Sequence, residues 1–377
     1  MDIAQIVNQV ESPFTDEQIE KLIKTYTECN CNMDEFYKKI NLNVEKQENL
    51  YLNDLYNRLF SLSNRGERFV DGNNSWDIIG SSKEMLSVPT NPEERVPIYR
   101  IYINAKGQDK AKIVEDYIKR CEDAGHGYKL KYSITDGRRD EILILSYGED
   151  LSRNIELIEE ITEGMNLGEP AELLGRYKDK IGIGEEYIQA PIYSYTQTRL
   201  GLIALVMQKY FLDHREQFDK YLSEKDKKIG EVQLRHFGKI SERLLKKIAT
   251  LPEDKKQQKQ ELQNEQLAYQ NNIDFNIGHM YFTSCSCIPE TMQAYMEEHS
   301  EEAIPEIIKS YHLACEVFGI SKDVVFSRTT QEMIEKQTLL QQRNATLAAL
   351  EAEAREYDAA EALIGKLEQR QGEDIGE

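Results

Sequence analysis

The chain has 377 residues, 40% of them hydrophobic, enough for two domains or for one large folded core with helical additions. Lys and Arg total 47 against 67 Asp and Glu, and the net charge of −20 excludes binding of nucleic acid or of anionic membrane by bulk charge. No apolar run approaches the roughly 20 residues a bilayer span needs, and Met1 to Val10 has no basic region followed by an apolar stretch, so a cytoplasmic location is expected.

In chain order, the stretch from Met1 to about Ser63 reads as helical. Ile3, Ile6, Val7 and Val10 follow a helical spacing, Thr15-Asp-Glu-Gln18 resembles a capping box, and Leu50, Leu52, Leu55, Leu59 and Leu62 recur at helical intervals. From Arg65 to Pro97 the composition shifts to Gly, Asn, Ser and Pro, which predicts a loop-rich connection. Val96 to Ile103 is β-branched and aromatic and predicts a strand. A helix is predicted over Asp109 to Asp123, a strand over Tyr128 to Ile134, a turn at Asp136-Gly137, a strand over Glu141 to Tyr147 and a helix over Leu151 to Glu163. This β-α-β-β-α order implies an α+β fold: a small mixed or antiparallel sheet with helices on one face.

Beyond the sheet region, an apolar helix starts near Thr196 and continues through Phe211. Polar helix follows from Asp213 to about Gln270, broken at Pro252, and Ile273 to Pro289 reads as irregular before further helix from Met292 to Phe318. In the tail, Met333, Leu340, Leu347 and Ala354 form one seven-residue series, and Leu350, Tyr357 and Ile364 form another. That pattern predicts a docked helix, a helical hairpin or a coiled coil, and with it a possible oligomer contact. The expected organisation is a helical region over 1–75, an α+β core over 95–325 and a helical tail over 330–370.

Motifs of familiar enzyme chemistry are missing: there is no Gly-rich phosphate loop, and the six histidines show no metal-ligand spacing. The six cysteines include Cys29-x-Cys31 and Cys285-x-Cys287, tighter than zinc pairs, and read as reduced thiols. No metal or cofactor is expected. What stands out is a set of cations in the sheet region. Arg100 follows Tyr99, Lys129 and Lys131 lie on one face of a strand, Arg138 and Arg139 precede the next strand, and Arg199 opens a helix behind Ser194 and Tyr195. Such cations form either an anion pocket or ordinary sheet-edge ion pairs with Asp136, Asp140 and Glu141.

The stretches Tyr51-Leu-Asn-Asp-Leu-Tyr56, Tyr99-Arg-Ile-Tyr-Ile-Asn104, Tyr128-Lys-Leu-Lys131, Arg138-Arg-Asp-Glu-Ile-Leu-Ile-Leu145, Gly182-Ile-Gly-Glu-Glu186 and Ser194-Tyr-Thr-Gln-Thr-Arg199 resemble, in order and spacing, the Hop-A-type effector-domain family. The resemblance spans roughly residues 50 to 210 and leaves out the tail. Relatives accompany kinase-like proteins in lanthipeptide and thioamitide biosynthesis and are similar in core to phosphothreonine lyases. The resemblance implies a phospholyase acting on a phosphorylated precursor peptide, with a kinase-like partner, to leave dehydroalanine or dehydrobutyrine. Lys131 matches the lysine base, with Lys129 and Arg139 near enough to lower its pKa. Arg139 and Arg199 are the phosphate ligands it implies, with Arg138 and Arg100 beside them, and Tyr147 or Tyr102 orients the substrate. Arg100 stands where those lyases carry a histidine acid, which leaves His126, His279 or unassisted departure of phosphate. The alternatives are a non-catalytic partner that holds a phosphorylated or leader peptide for a kinase, and an effector acting on a host protein.

Overall fold

The structure, a computed structural model, describes residues 2–48, 50–63, 68–72, 76–82, 97–186, 195–275, 289–320, 325–327, 330–349, 352 and 355. The chain divides into one unit over Met1–Arg328 and another over Thr329–Glu377.

The first unit is α+β, built on an antiparallel sheet in the order β1-β9-β10-β5-β8-β6-β4-β3. Its strands are β1 (Val10–Glu11), β3 (Phe69–Gly72), β4 (Trp76–Gly80), β5 (Ile98–Ile103), β6 (Lys129–Ser133), β8 (Ile142–Tyr147), β9 (Gly175–Tyr177) and β10 (Ile181–Glu185). A separate ladder pairs β2 (Leu42–Glu48) with β7 (Thr135–Arg138). The eight-stranded sheet exceeds the small one that the sequence implies. Three local expectations change. Arg65 to Pro97 holds β3 and β4 rather than only a connection, the N-terminal stretch contains β1 and β2 among its helices, and Asp136-Gly137 lies within β7 rather than in a hairpin turn. Each of these short strands is specified by a distant partner, β6 for β4 and β2 for β7, so local composition does not announce it.

Where periodicity is strong, the helices match the reading. Helix α2 (Asp16–Glu28) follows α1 (Ile3–Gln9) and is capped by the Thr15 hydroxyl, which accepts from the Gln18 N–H at 3.2 Å. Ile19, Leu22, Ile23 and Tyr26 form its buried stripe. After α3 (Met33–Asn41) and α4 (Leu50–Ser63), α5 (Gly107–Asp123) and α6 (Asp150–Thr162) cover one face of the sheet. There Tyr117 of α5 donates to Asn154 of α6 at 3.1 Å, and Asn154 donates to Ser146 of β8 at 3.0 Å. Tyr99, Ile101, Leu130, Tyr132 and Ile144 alternate onto that face and are buried.

Helices also meet the opposite face. A side chain at Gly184 of β10 would place its Cβ 2.6 Å from the ring of Tyr195, the first residue of α7 (Tyr195–Asp213). Only glycine permits that approach. Helix α7 is buried nearly all round, as an interior helix is. Antiparallel α8 (Glu224–Thr250) and α9 (Lys256–Gln270) follow, separated around Pro252 as expected, and α10 (Pro289–Val317) carries Pro305 and a kink at His299. Among the described residues no helix is long and apolar enough to cross a membrane. Cys29, Cys31, Cys121 and Cys315 are in no disulfide; Cys285, Cys287 and His279 lie outside the described residues.

In the second unit, residues 330–349 form a helix, α11, on which Leu339, Leu340 and Leu347 are exposed. The second seven-residue series, starting at Leu350, lies outside the described residues.

Candidate functional site

Strand β6 alternates Lys129, Leu130, Lys131, Tyr132, with Leu130 and Tyr132 buried under the helices and both lysines on the other face. Register then decides what joins them. Lys129 pairs with Leu145 of β8, Leu145 with Arg100 of β5, and Arg100 with Gly184 of β10, so these residues form one row across the sheet. The next row runs Ile78, Lys131, Leu143, Tyr102, Gly182. Tyr147 ends β8 on the same face, opposite Ile98.

An aromatic ring gathers two of the cations. The Lys131 Nζ lies 4.5 Å from the centroid of the Trp76 ring, and the Arg138 guanidinium carbon lies 4.7 Å from it. Arg138 is itself a fork on Asp140, with Nε to Oδ1 at 2.8 Å and Nη2 to Oδ2 at 3.3 Å. The Tyr37 hydroxyl of α3 lies 3.5 Å from the same guanidinium. Arg100 makes a close ion pair with Glu186, just beyond β10.

Crowding of positive charge away from water shifts the amines. Burial, then Arg100, with smaller effects of Arg138 and Lys129 and an opposing one from Asp140, brings Lys131 down from 10.5 to about 7. Burial and then Arg100 bring Lys129 down to about 8. Burial pushes the Tyr147 phenol up, partly offset by Arg100; Tyr102, fully enclosed, is pushed up for the same first reason. An amine titrating near neutrality is half in its basic form at working pH, while the neighbouring guanidiniums stay charged. The arrangement can therefore take a proton and neutralise an anion in one place.

The remaining candidates lie elsewhere. Arg139 pairs with Glu172 at 3.0 Å and lines a cavity of about 680 Å³ with Lys21, Asn104, Glu169 and Arg176. The largest charge effect on Lys131 comes from Arg100 rather than from Arg139. Arg199 is 2% exposed and stacks 4.5 Å over the Tyr195 ring, within the helical layer near Tyr311. Ser194, expected beside it, lies outside the described residues. His126 is exposed in the connection between α5 and β6. Sequence reasoning missed Trp76 and Glu186, and named Asp140 only as an ordinary ion-pair partner of these cations. The one available signal was Trp76 itself, the sole tryptophan, heading a Trp-Asp-Ile-Ile run of strand-forming residues. Among the described residues no group of His, Cys, Asp and Glu could hold a metal ion.

No protein-family model matches the chain. No curated protein matches it either. Among solved structures it is similar to the effector protein from Pseudomonas syringae pv. syringae strain 61, at 10% sequence identity and a TM-score of 0.33, over 50% of this chain and 93% of that one. At that TM-score the similarity carries no argument about activity.

Proposed function

We propose that the chain is a phospho-Ser/Thr lyase that removes phosphate from a peptide by β-elimination. The observation that carries the reading is the clustering of Lys129, Lys131 and Arg100 on one sheet face, with Arg138 of the β2–β7 ladder meeting Lys131 at the Trp76 ring. Neutral Lys131 takes the Cα proton of the phosphoresidue. The electron pair of that C–H bond becomes the Cα=Cβ double bond, and the Cβ–O bond breaks with its pair going to phosphate. Lys129 and Arg100 neutralise the charge gathering on the departing oxygens. Lys129, half protonated near pH 8, supplies the proton that phosphate needs, and solvent resets both amines. Phosphoserine becomes dehydroalanine and phosphothreonine becomes dehydrobutyrine. A kinase-like partner would supply the phosphopeptide.

A second reading is a non-catalytic phosphopeptide-binding protein. It is favoured by Arg100, whose guanidinium pairs with Glu186 and stands where the phosphothreonine lyases carry a histidine acid. One experiment separates the two. Incubation of the full chain with a phosphoserine peptide, followed by mass spectrometry, should show loss of phosphoric acid with formation of dehydroalanine. Binding without mass change would leave the second reading standing and remove the first. Loss of the phosphoryl group with serine regenerated would remove both.

A further inference from the structure

Lys110 of α5 and Glu141, just before β8, form an ion pair at 2.7 Å with both side chains 0% exposed. Taking two charges out of water costs several kcal/mol per ion, and buried pairs are often replaceable by apolar residues without loss of stability. Stability alone is therefore a poor account of this pair. Its geometry offers a better one. The second oxygen of Glu141, Oε1, accepts the backbone N–H of Gly137 at 2.9 Å and of Arg138 at 2.8 Å. Gly137 has φ +115, a conformation open to glycine, and its N–H is turned toward that oxygen. Lys110 fixes the carboxylate, the carboxylate fixes residues 137–138, and from there Arg138 reaches Asp140 and the Trp76 ring that Lys131 also touches.

We infer that Lys110 and Glu141 are positioning residues, a buried clamp that holds Arg138 against Trp76 and so encloses the Lys131 amine. Neither touches the reacting atoms. The catalytic meaning of the clamp rests on the lyase reading, but its existence does not, because Lys131 can be followed without turnover. Arg100 and Lys129 face Lys131 from the sheet, Arg138 and Asp140 from beside β7, and Tyr37 of α3 approaches Arg138. Releasing residues 137–138 would open this enclosure to water, and the amine would regain protons at higher pH.

The test uses the full chain and its sole tryptophan, whose fluorescence reports the charge on the amine above its ring. Lys131→Met, which should lack the titration, identifies the signal. Two double variants are compared. Lys110→Met/Glu141→Gln is uncharged but keeps a carbonyl oxygen for the Gly137 and Arg138 N–H groups. Lys110→Met/Glu141→Leu is uncharged and offers none. The first loses the Lys110 anchor but keeps the acceptor, and should raise the midpoint of the parent only slightly. The second should raise it by about one unit or more, a tenfold loss of neutral amine below the midpoint. Equal midpoints in the two double variants, whether shifted or not, would overturn the clamp. Amide hydrogen exchange in the parent provides a check that needs no variant to fold: Gly137 and Arg138 should be protected, and free exchange at both would also overturn it. If phosphopeptide elimination fails while these midpoints behave as stated, the lyase reading falls and the clamp stands.

Discussion

Replacing Lys131 by Met should abolish elimination and yet make the protein more stable, by an amount that depends on pH. The folded state holds this amine down from 10.5 to about 7, and at about 1.36 kcal/mol per unit the difference sets a ceiling of about 5 kcal/mol. The sign follows from proton counting. Below about pH 7 the amine is charged in both folded and unfolded chains, and the folded state bears the whole cost of burying the charge. Between about 7 and 10.5 the unfolded chain still binds the proton and the folded chain does not, so stability rises with pH. Above 10.5 the cost is gone. Methionine removes the cost and keeps the unbranched shape, but loses the contact with the Trp76 ring, which is worth about 0.5–2 kcal/mol. The expected net gain is about 2–4 kcal/mol at pH 6, shrinking to about 1 kcal/mol or less at pH 9.5. Urea unfolding followed by far-ultraviolet circular dichroism at the two pH values measures it. A gain that is the same at both, or destabilisation at both, would refute the argument that Lys131 is held neutral by its surroundings.

Three other outcomes follow from the same geometry. The rate of elimination at saturating phosphopeptide should rise with pH about a midpoint near 7 and fall above about 8, where Lys129 loses the proton it supplies, and Arg100→Gln should move the lower midpoint upward, since Arg100 is the charge that most depresses Lys131; an unchanged lower midpoint in a pH–rate profile would count against Lys131 as the base. Arg199→Lys should lower stability by roughly 1–2 kcal/mol in urea titrations, because it loses a buried guanidinium stack on Tyr195, while phosphorylated and unphosphorylated peptides should change affinity alike. A selective loss for the phosphopeptide, read by calorimetry, would return Arg199 to the phosphate site. Deleting residues 330–377 should leave elimination on a free phosphopeptide intact and change the assembly state seen by light scattering; an unchanged assembly would deny α11, with Leu340 and Leu347 exposed, a packing role.

Much of this was legible in the chain because it is written in local periodicity. Strands β5, β6 and β8 and helices α5 and α6 declare themselves through alternation or a buried stripe. That Lys129 and Lys131 share a face follows from the two-residue repeat alone. Composition likewise excluded a membrane-spanning helix, and no described helix is long and apolar enough to be one.

The site was decided by register, which no local pattern records. Only the pairing of β5 with β8 and β8 with β6 puts Arg100 in line with Lys129, and only the pairing of β4 with β6 brings Trp76 to Lys131. Arg138 and Arg139, adjacent in sequence, part company: one joins Trp76 and the other a cavity with Glu172, because backbone direction at β7 turns neighbouring side chains apart. Arg199 reads from the sequence as a helix-opening cation, yet α7 is enclosed on nearly every side, and the stacking partner that tolerates a charge there is Tyr195, one turn away. A depressed amine is in this sense a tertiary property. The lysine is in the sequence, but its loss of water and its cationic neighbours come from strands, a loop and a tryptophan that the chain brings together only by folding.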